Sequence, residues 1–143
     1  MLQVEAYSSI GGRSKNEDCV TGTHMGKRMC FLVADGLGGH GDGDVASRAA
    51  IETVCGAWNG TISAAEWQRL LEPGVHAFLL CTDGFWEYVL EEEMEQDLRL
   101  ARSAKQWLEK MRRRLQARAP ADQDNNSAIV IWKSNEKREE NTQ

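Results

Sequence analysis

Two stretches decide the fold: Phe31-Leu32-Val33-Ala34-Asp35-Gly36 and Phe78-Leu79-Leu80-Cys81-Thr82-Asp83-Gly84. Each is a short apolar run with the length and composition of a buried strand, and each ends on an aspartate followed by a glycine. The end of a buried strand is a rigid place for a carboxylate. A single Asp-Gly pair commonly does no more than make a turn. The occurrence of two such pairs, each at the end of an apolar run, indicates that the two aspartates have a common function.

Further acids stand at comparable places. Asp124 and Asn125 come just before a last apolar run, and Glu17-Asp18 closes the first polar loop, four residues after Arg13. Several carboxylates in one place repel one another and need a cation to coexist. Oxygen ligands without histidine or cysteine favour Mg²⁺ or Mn²⁺. The sequence therefore predicts a divalent metal site, with turn formation alone as the competing interpretation.

Periodicity places these residues among alternating elements. Residues 35–44 hold five glycines and are predicted to form a loop, followed by a helix that Asp44 caps and Gly56 ends. Ser63 starts a capping box for a short helix, and Pro73-Gly74 is typical of a turn. The predicted strands are 2–7, 19–23, 28–34, 76–82 and 128–133, and the predicted longer helices are 45–55, 90–100 and 103–119.

The last helix should bury Trp107, Met111 and Leu115 on one face. The charge runs Glu91–Glu93 and Arg112–Arg114 are interpreted as solvated faces.

The length, charge and composition of the whole chain limit its possible functions. Its 143 residues suit one globular domain, and a net charge of −5 disfavours a general nucleic-acid binder. The start shows no signal-peptide pattern and the longest apolar run, 29–34, is too short to span a membrane, so we expect a cytoplasmic protein. The four cysteines form no C-x-x-C pair and are predicted to be reduced, buried thiols.

Four segments, in this order, resemble motifs of the metal-dependent protein phosphatases of type 2C (PPM). Residues 13–18 resemble R-x-x-N-E-D, and residues 33–40 resemble V-A-D-G-x-G-G-H. Residues 81–87 resemble S/T-D-G-x-W/T-E, and residues 124–127 resemble D-N-x-S/T before a strand. The resemblance covers residues 1 to about 56 and about 72 to 133. It implies an α+β fold, a four-layer αββα sandwich of antiparallel sheets flanked by helices.

The resemblance also implies roles. Two Mn²⁺ or Mg²⁺ ions would activate a water that attacks phosphoserine or phosphothreonine in a protein substrate. Arg13 would bind the phosphate. The implied metal ligands are Glu17, Asp35 (bridging both ions), the carbonyl of Gly36, Asp83 and Asp124, with Asp18, His40 and Asn125 in supporting positions. Some members place a histidine, a proposed general acid, where this chain has Leu37, as many bacterial members do; for His40 a structural role is the preferred interpretation.

The chain departs from the family in its middle. Only residues 57–74 stand where members carry several strands, and no G-D-S-R segment occurs. We therefore predict an internally shortened domain, 1–134, and a disordered charged tail, 135–143. Three hypotheses stay open: an active phosphatase, a weak or inactive remnant that binds metal or phosphopeptide, and a structural protein. We expect the chain to be poorly active as a monomer, and either self-associated through the uncovered surface or only marginally stable. The alternative is that residues 57–74, with Trp58, Trp67, Leu70 and Leu71, fold over that surface and cover it.

Overall fold

The computed structural model describes residues 1–37, 42–58 and 76–133. These residues form five strands and four helices, of which the second is a single turn. They are β1 (Leu2–Ser9), β2 (Cys19–Met25), β3 (Arg28–Ala34), α1 (Gly43–Ala57), β4 (His76–Cys81), α2 (Asp83–Trp86), α3 (Glu91–Leu100), α4 (Ala104–Arg118) and β5 (Asn126–Lys133).

The described strands form two antiparallel sheets. In the first, β5 lies between β1 and β4, with Ala6 and Leu80 both opposite Ile129. In the second, β2 and β3 make a hairpin that turns at Gly26, whose φ of 59° is a conformation that glycine adopts without strain. Strand β5 is the central strand of the larger sheet, and six of its eight residues are buried; its stretch 128–132 is apolar on both faces.

The two sheets face each other, and helices cover the outside of each. Helix α4 packs on β1 and β5 with α3 against it, whereas α1 packs on β2 and β3. The order of layers is helix, sheet, sheet, helix. The predicted fold class, α+β with antiparallel sheets flanked by helices, is confirmed.

The main core lies between α4 and the larger sheet. Trp107, Met111 and Leu115 are buried on one face of α4, as their spacing predicts. The Trp107 ring meets that of Trp132 edge-on at 6.5 Å, and its indole N–H donates to the carbonyl of Met94 at 2.9 Å. This core fixes β5, and therefore the position of Asp124 and Asn125 just before it.

The predicted elements are all present among the described residues, with shifted ends. Strands β1 and β2 run two residues further than predicted, β4 stops one residue earlier, and β5 begins two residues earlier. Asp44 is not the N-cap of α1. The N-cap is Asp42, without a side-chain capping bond, and Asp44 lies in the first turn, paired with Lys15. Gly56 lies within the helix, which ends at Ala57.

The interpretation of the two charge runs as solvated faces is wrong for Glu93 and Arg114. Arg114 donates from Nε and Nη2 to Asp97, at 2.7 and 3.0 Å, and from Nη1 to Glu93 at 2.9 Å. Asp97 is only 3% exposed. These charges clamp α3 to α4, and a paired geometry is what permits their burial.

Several predictions concern residues outside the described part. They are the loop residue His40, the short helix after Ser63, the turn at Pro73-Gly74, the plug residues Trp67, Leu70 and Leu71, and the tail 135–143. Within the described part, no helix has the length and apolar character required to cross a membrane.

Candidate active site

Three aspartates meet where strands of both sheets end. Asp35 follows β3, Asp83 opens α2 two residues after the end of β4, and Asp124 stands two residues before β5. Asp83 and Asp124 are both close enough to Asp35 to raise the pKa of its carboxyl group. The pKa of Asp35 is raised to about 6, first by partial burial and then by the neighbouring carboxylates of Asp18, Asp83 and Asp124.

Asp18 is held beside this group by hydrogen bonds. The Thr82 hydroxyl donates to Asp18 Oδ2 at 2.9 Å and accepts from the backbone N–H of Ser127 at 3.0 Å. Burial raises the pKa of Asp18, and hydrogen bonds from Ser127 and Thr82 oppose that shift. The first loop, the end of β4 and the start of β5 are thereby joined at one point.

Glu17 is fixed through its main chain. Its N–H donates to Asn125 Oδ1 at 2.7 Å, and its carbonyl accepts from the Ser47 hydroxyl at 2.6 Å. The Glu17 carboxyl lies against α1 at Gly43, where a Cβ would come within 2.7 Å of Glu17 Cδ. Any side chain at residue 43 would displace the carboxylate, so the glycine keeps room for it.

The glycines of the two Asp-Gly pairs stand where a side chain would collide with the backbone of another segment. A Cβ at Gly36 would lie 2.2 Å from the carbonyl oxygen of Gly43, and one at Gly84 would lie 2.1 Å from that of Asn125. Neither glycine has a positive φ. Each Asp-Gly is thus a place where a second backbone comes close, and the simple-turn interpretation does not explain the requirement.

Arg13 lies at the edge of the acidic group. Its Nη2 is 2.9 Å from Asp124 Oδ2, and both side chains are about half exposed. The structure therefore brings together the predicted phosphate-binding residue and one of the predicted metal ligands.

The acidic group fits a hard divalent cation in its chemistry. Its donors are carboxylate oxygens, and the pKa values of Asp35 and Asp18 are raised by burial and by the charges of neighbouring carboxylates, a repulsion that a cation would relieve. In the described part of the chain, no three His, Cys, Asp or Glu side chains meet closely enough to hold an ion as they stand. The carboxylates would have to draw together around the metal.

Sequence reasoning missed two contributors, Ser47 and Gly43, and gave Thr82 no role beyond the motif. Gly43 could have been found from the glycine-rich loop that precedes α1, and Thr82 from its place before Asp83. Ser47 carries no signal, because a serine within a helix usually faces solvent; here it is 3% exposed.

Comparisons with known proteins agree with this architecture. No family model and no curated protein matches the sequence. Among solved structures, a bacterial serine phosphatase bearing an arginine-to-glutamate mutation superposes with a TM-score of 0.66 at 14% identity, the match covering 94% of this chain and 99% of that one. PppA, described as a key regulatory component of T6SS in Pseudomonas aeruginosa, has the same TM-score at 16% identity, with 91% and 96% covered.

A third similar structure is the catalytic domain of the serine/threonine protein phosphatase PstP in complex with two manganese ions. Its TM-score is 0.60 at 17% identity, and the match covers 91% of this chain and 97% of that one. Identities this low establish likeness of fold. The chain has the fold of the bacterial serine/threonine phosphatases.

Proposed function

We propose that this chain is a metal-dependent phosphatase that hydrolyses phosphoserine and phosphothreonine in proteins by means of an activated water. One observation carries the proposal. Asp35, Asp83 and Asp124 come from distant parts of the sequence, yet the charges of Asp83 and Asp124 lie close enough to Asp35 to raise its pKa, and Arg13 pairs with Asp124.

The metal ligands in this proposal are Glu17, Asp35, the carbonyl of Gly36, Asp83 and Asp124. Two Mn²⁺ or Mg²⁺ ions, when bound, would supply the Lewis acidity that lowers the pKa of water towards neutrality. The structurally similar PstP domain, which holds two manganese ions, supports this choice of metal. The ligand set is a second reason, because carboxylate and carbonyl oxygens suit hard cations such as Mg²⁺ and Mn²⁺.

The phosphate would be bound by Arg13. A guanidinium presents a planar pair of N–H donors to two phosphate oxygens, a geometry that an ammonium group cannot copy. Asp35 and Asp83 are exposed, so a residue on the surface of a protein substrate could reach them. Asp18 and Asn125 support the site from behind, and a role for His40 stays a prediction.

The test is phosphate release from a phosphothreonine peptide, measured with Mn²⁺ and with a chelator. Asp35→Asn should abolish turnover and also the Mn²⁺-dependent rise in melting temperature, because a ligand that binds the folded form alone stabilises it. Asp122→Asn is the matched control, since it removes one exposed carboxylate two residues from Asp124. An unchanged metal response in D35N would refute the metal assignment.

A non-catalytic module that binds metal or phosphopeptide is the second candidate. It is favoured because, in the described residues, no three His, Cys, Asp or Glu side chains lie close enough together to hold one metal ion. Metal-dependent stabilisation and phosphopeptide binding without turnover would identify it.

The shortening of the domain also stays a prediction, with bounds 1–134, a disordered tail 135–143 and self-association of the shortened chain. Light scattering during size exclusion tests the association: a compact monomer with phosphatase turnover would contradict it.

A further inference from the structure

Both polar atoms of the Asn125 side-chain amide form hydrogen bonds to the first loop of the protein. Its Oδ1 accepts from the N–H of Glu17 at 2.7 Å, and its Nδ2 donates to the carbonyls of Ile10 and Lys15 at 2.7 and 2.9 Å. The residue is only 6% exposed. Three backbone groups more than a hundred positions away are thus satisfied by one buried side chain.

The loop itself has little regular structure to hold it. Between Ser9 and Cys19 it belongs to no strand or helix, and it carries Arg13 and Glu17. Its main chain makes a hydrogen bond from the Gly12 N–H to the Gln123 carbonyl at 2.9 Å and one from the Arg13 N–H to the Ile10 carbonyl at 3.3 Å. The side-chain amide of Asn125 therefore supplies backbone hydrogen bonds to the loop, as a neighbouring strand would in a sheet.

The three backbone groups bonded by Asn125 lie on both sides of Arg13. Ile10 and Lys15 stand on either side of Arg13, and the third point is the main chain of Glu17 itself. Asn125 also follows Asp124, the residue with which the Arg13 side chain pairs. One two-residue segment thus sets both the path of the loop and the position of its guanidinium.

We propose that Asn125 is a positioning residue: its amide fixes the loop 10–17, which holds Arg13 beside Asp124 and the Glu17 carboxyl beside Gly43. The consequence for catalysis rests on the proposed function, whereas the ordering of the loop does not. No other residue of similar size fits the role. Aspartate keeps the acceptor but loses both donors, and its charge would face two carbonyl oxygens.

The first measurement is amide hydrogen exchange on the full chain without metal. In the wild type, the Glu17 amide should exchange far more slowly than its intrinsic rate, although it lies outside regular structure. Asn125→Asp keeps the acceptor for the Glu17 N–H, but it loses both donors and sets a charge against the carbonyls of Ile10 and Lys15. The loop should therefore open more often, and the Glu17 amide should exchange faster on the order of tenfold or more. Ser103→Ala is the matched control: it removes the cap of α4, lowers the melting temperature, and should leave the Glu17 amide unaffected.

Fast exchange at Glu17 in the wild type would overturn the proposal, even if N125D failed to fold. Unchanged exchange in a folded N125D would overturn it equally.

The second measurement separates positioning from a structural role. For a phosphopeptide, N125D should raise KM and the inhibition constant of inorganic phosphate on the order of tenfold to a hundredfold, because a displaced Arg13 loses charge-assisted hydrogen bonds to the phosphate. A mere loss of folded protein would reduce the apparent kcat and leave KM unchanged, which would overturn the positioning role. If the wild type shows no turnover, the proposed function fails, and hydrogen exchange alone decides whether Asn125 orders the loop.

Discussion

The Thr82 hydroxyl donates a hydrogen bond of 2.9 Å to the carboxylate of Asp18, a residue 64 positions earlier in the chain. The same oxygen accepts the N–H of Ser127 at 3.0 Å, and Thr82 is only 4% exposed. One hydroxyl thus ties the first loop to β4 and β5 directly behind Asp83. The integrity of the candidate site and that of the sheet depend on the same small group.

Thr82→Val should therefore destabilise the protein although it keeps the shape of the side chain. It leaves a buried N–H of Ser127 and a partly buried carboxylate without a partner, which costs about 1 to 3 kcal/mol. Urea denaturation measures the free energy of unfolding. Thr82→Ser is the control, because it retains the hydroxyl; equal stability of T82V and T82S would contradict the prediction.

Two glycine-to-alanine changes should act with opposite signs. At Gly84 a Cβ would lie 2.1 Å from the backbone oxygen of Asn125, so the chain must shift, at a cost of about 1 to 3 kcal/mol. At Gly56, in the last turn of α1, a Cβ meets nothing within 4 Å, and alanine should stabilise the helix by up to about 1 kcal/mol. Melting temperatures of the two variants test this; a stable G84A would show that the close approach can relax.

Acid should weaken the contact between α3 and α4. Hydrogen bonds from Arg118 lower the pKa of Glu93 to about 2, helped by Leu90 N–H and Arg114, from an ordinary value of 4.5. The unfolded chain therefore takes up this proton first, so the stabilisation is complete above pH 4.5 and is lost as the pH falls towards 2. The free energy of unfolding of Glu93→Gln should depend less on pH in this window.

Glu95→Gln is the control for that experiment, since Glu95 makes only an exposed pair with Arg99 within α3. Equal pH dependence in E93Q and the wild type would contradict the assignment.

Thiol chemistry should have no part in turnover. The four cysteines are free and half-buried, and burial raises the pKa of Cys81 to about 11, so its thiol stays protonated at neutral pH. The sequence also has no C-x5-R phosphate loop. Alkylation of the folded protein should leave phosphate release unchanged, whereas a chelator should abolish it. The reverse pattern would indicate a phosphocysteine mechanism.

The sequence predicted what depends on local pattern. The strand that leads into Asp35 was placed at its observed bounds, because an apolar run ending in Asp-Gly has few other interpretations. The αββα layering came from the resemblance, and the structure confirms it. The clamp from Arg114 to Asp97 was not predictable, because a charge run shows no partner until two helices are packed.

The anchoring of Glu17 by Ser47 and Asn125 was equally out of reach. Both contacts join residues far apart in sequence, 30 positions in one case and 108 in the other. Nothing local distinguishes a helical serine that faces a loop carbonyl from one that faces water. Motifs and their spacing identify the chemical groups of the site. They do not identify the other residues that hold those groups in place.

Arg13→Lys should separate function from stability more cleanly than any other change. Arg13 and Asp124 pair at 2.9 Å, but their side chains are 54% and 47% exposed, so the pair contributes little to folding and lysine keeps the charge. The melting temperature should stay within a degree or so of the wild type. Lysine cannot offer two parallel N–H donors to a phosphate, and KM for a phosphopeptide should rise on the order of tenfold or more. Steady-state kinetics beside a thermal melt measure both effects. Full activity in R13K would mean that Arg13 serves Asp124 alone, and that another group binds the phosphate.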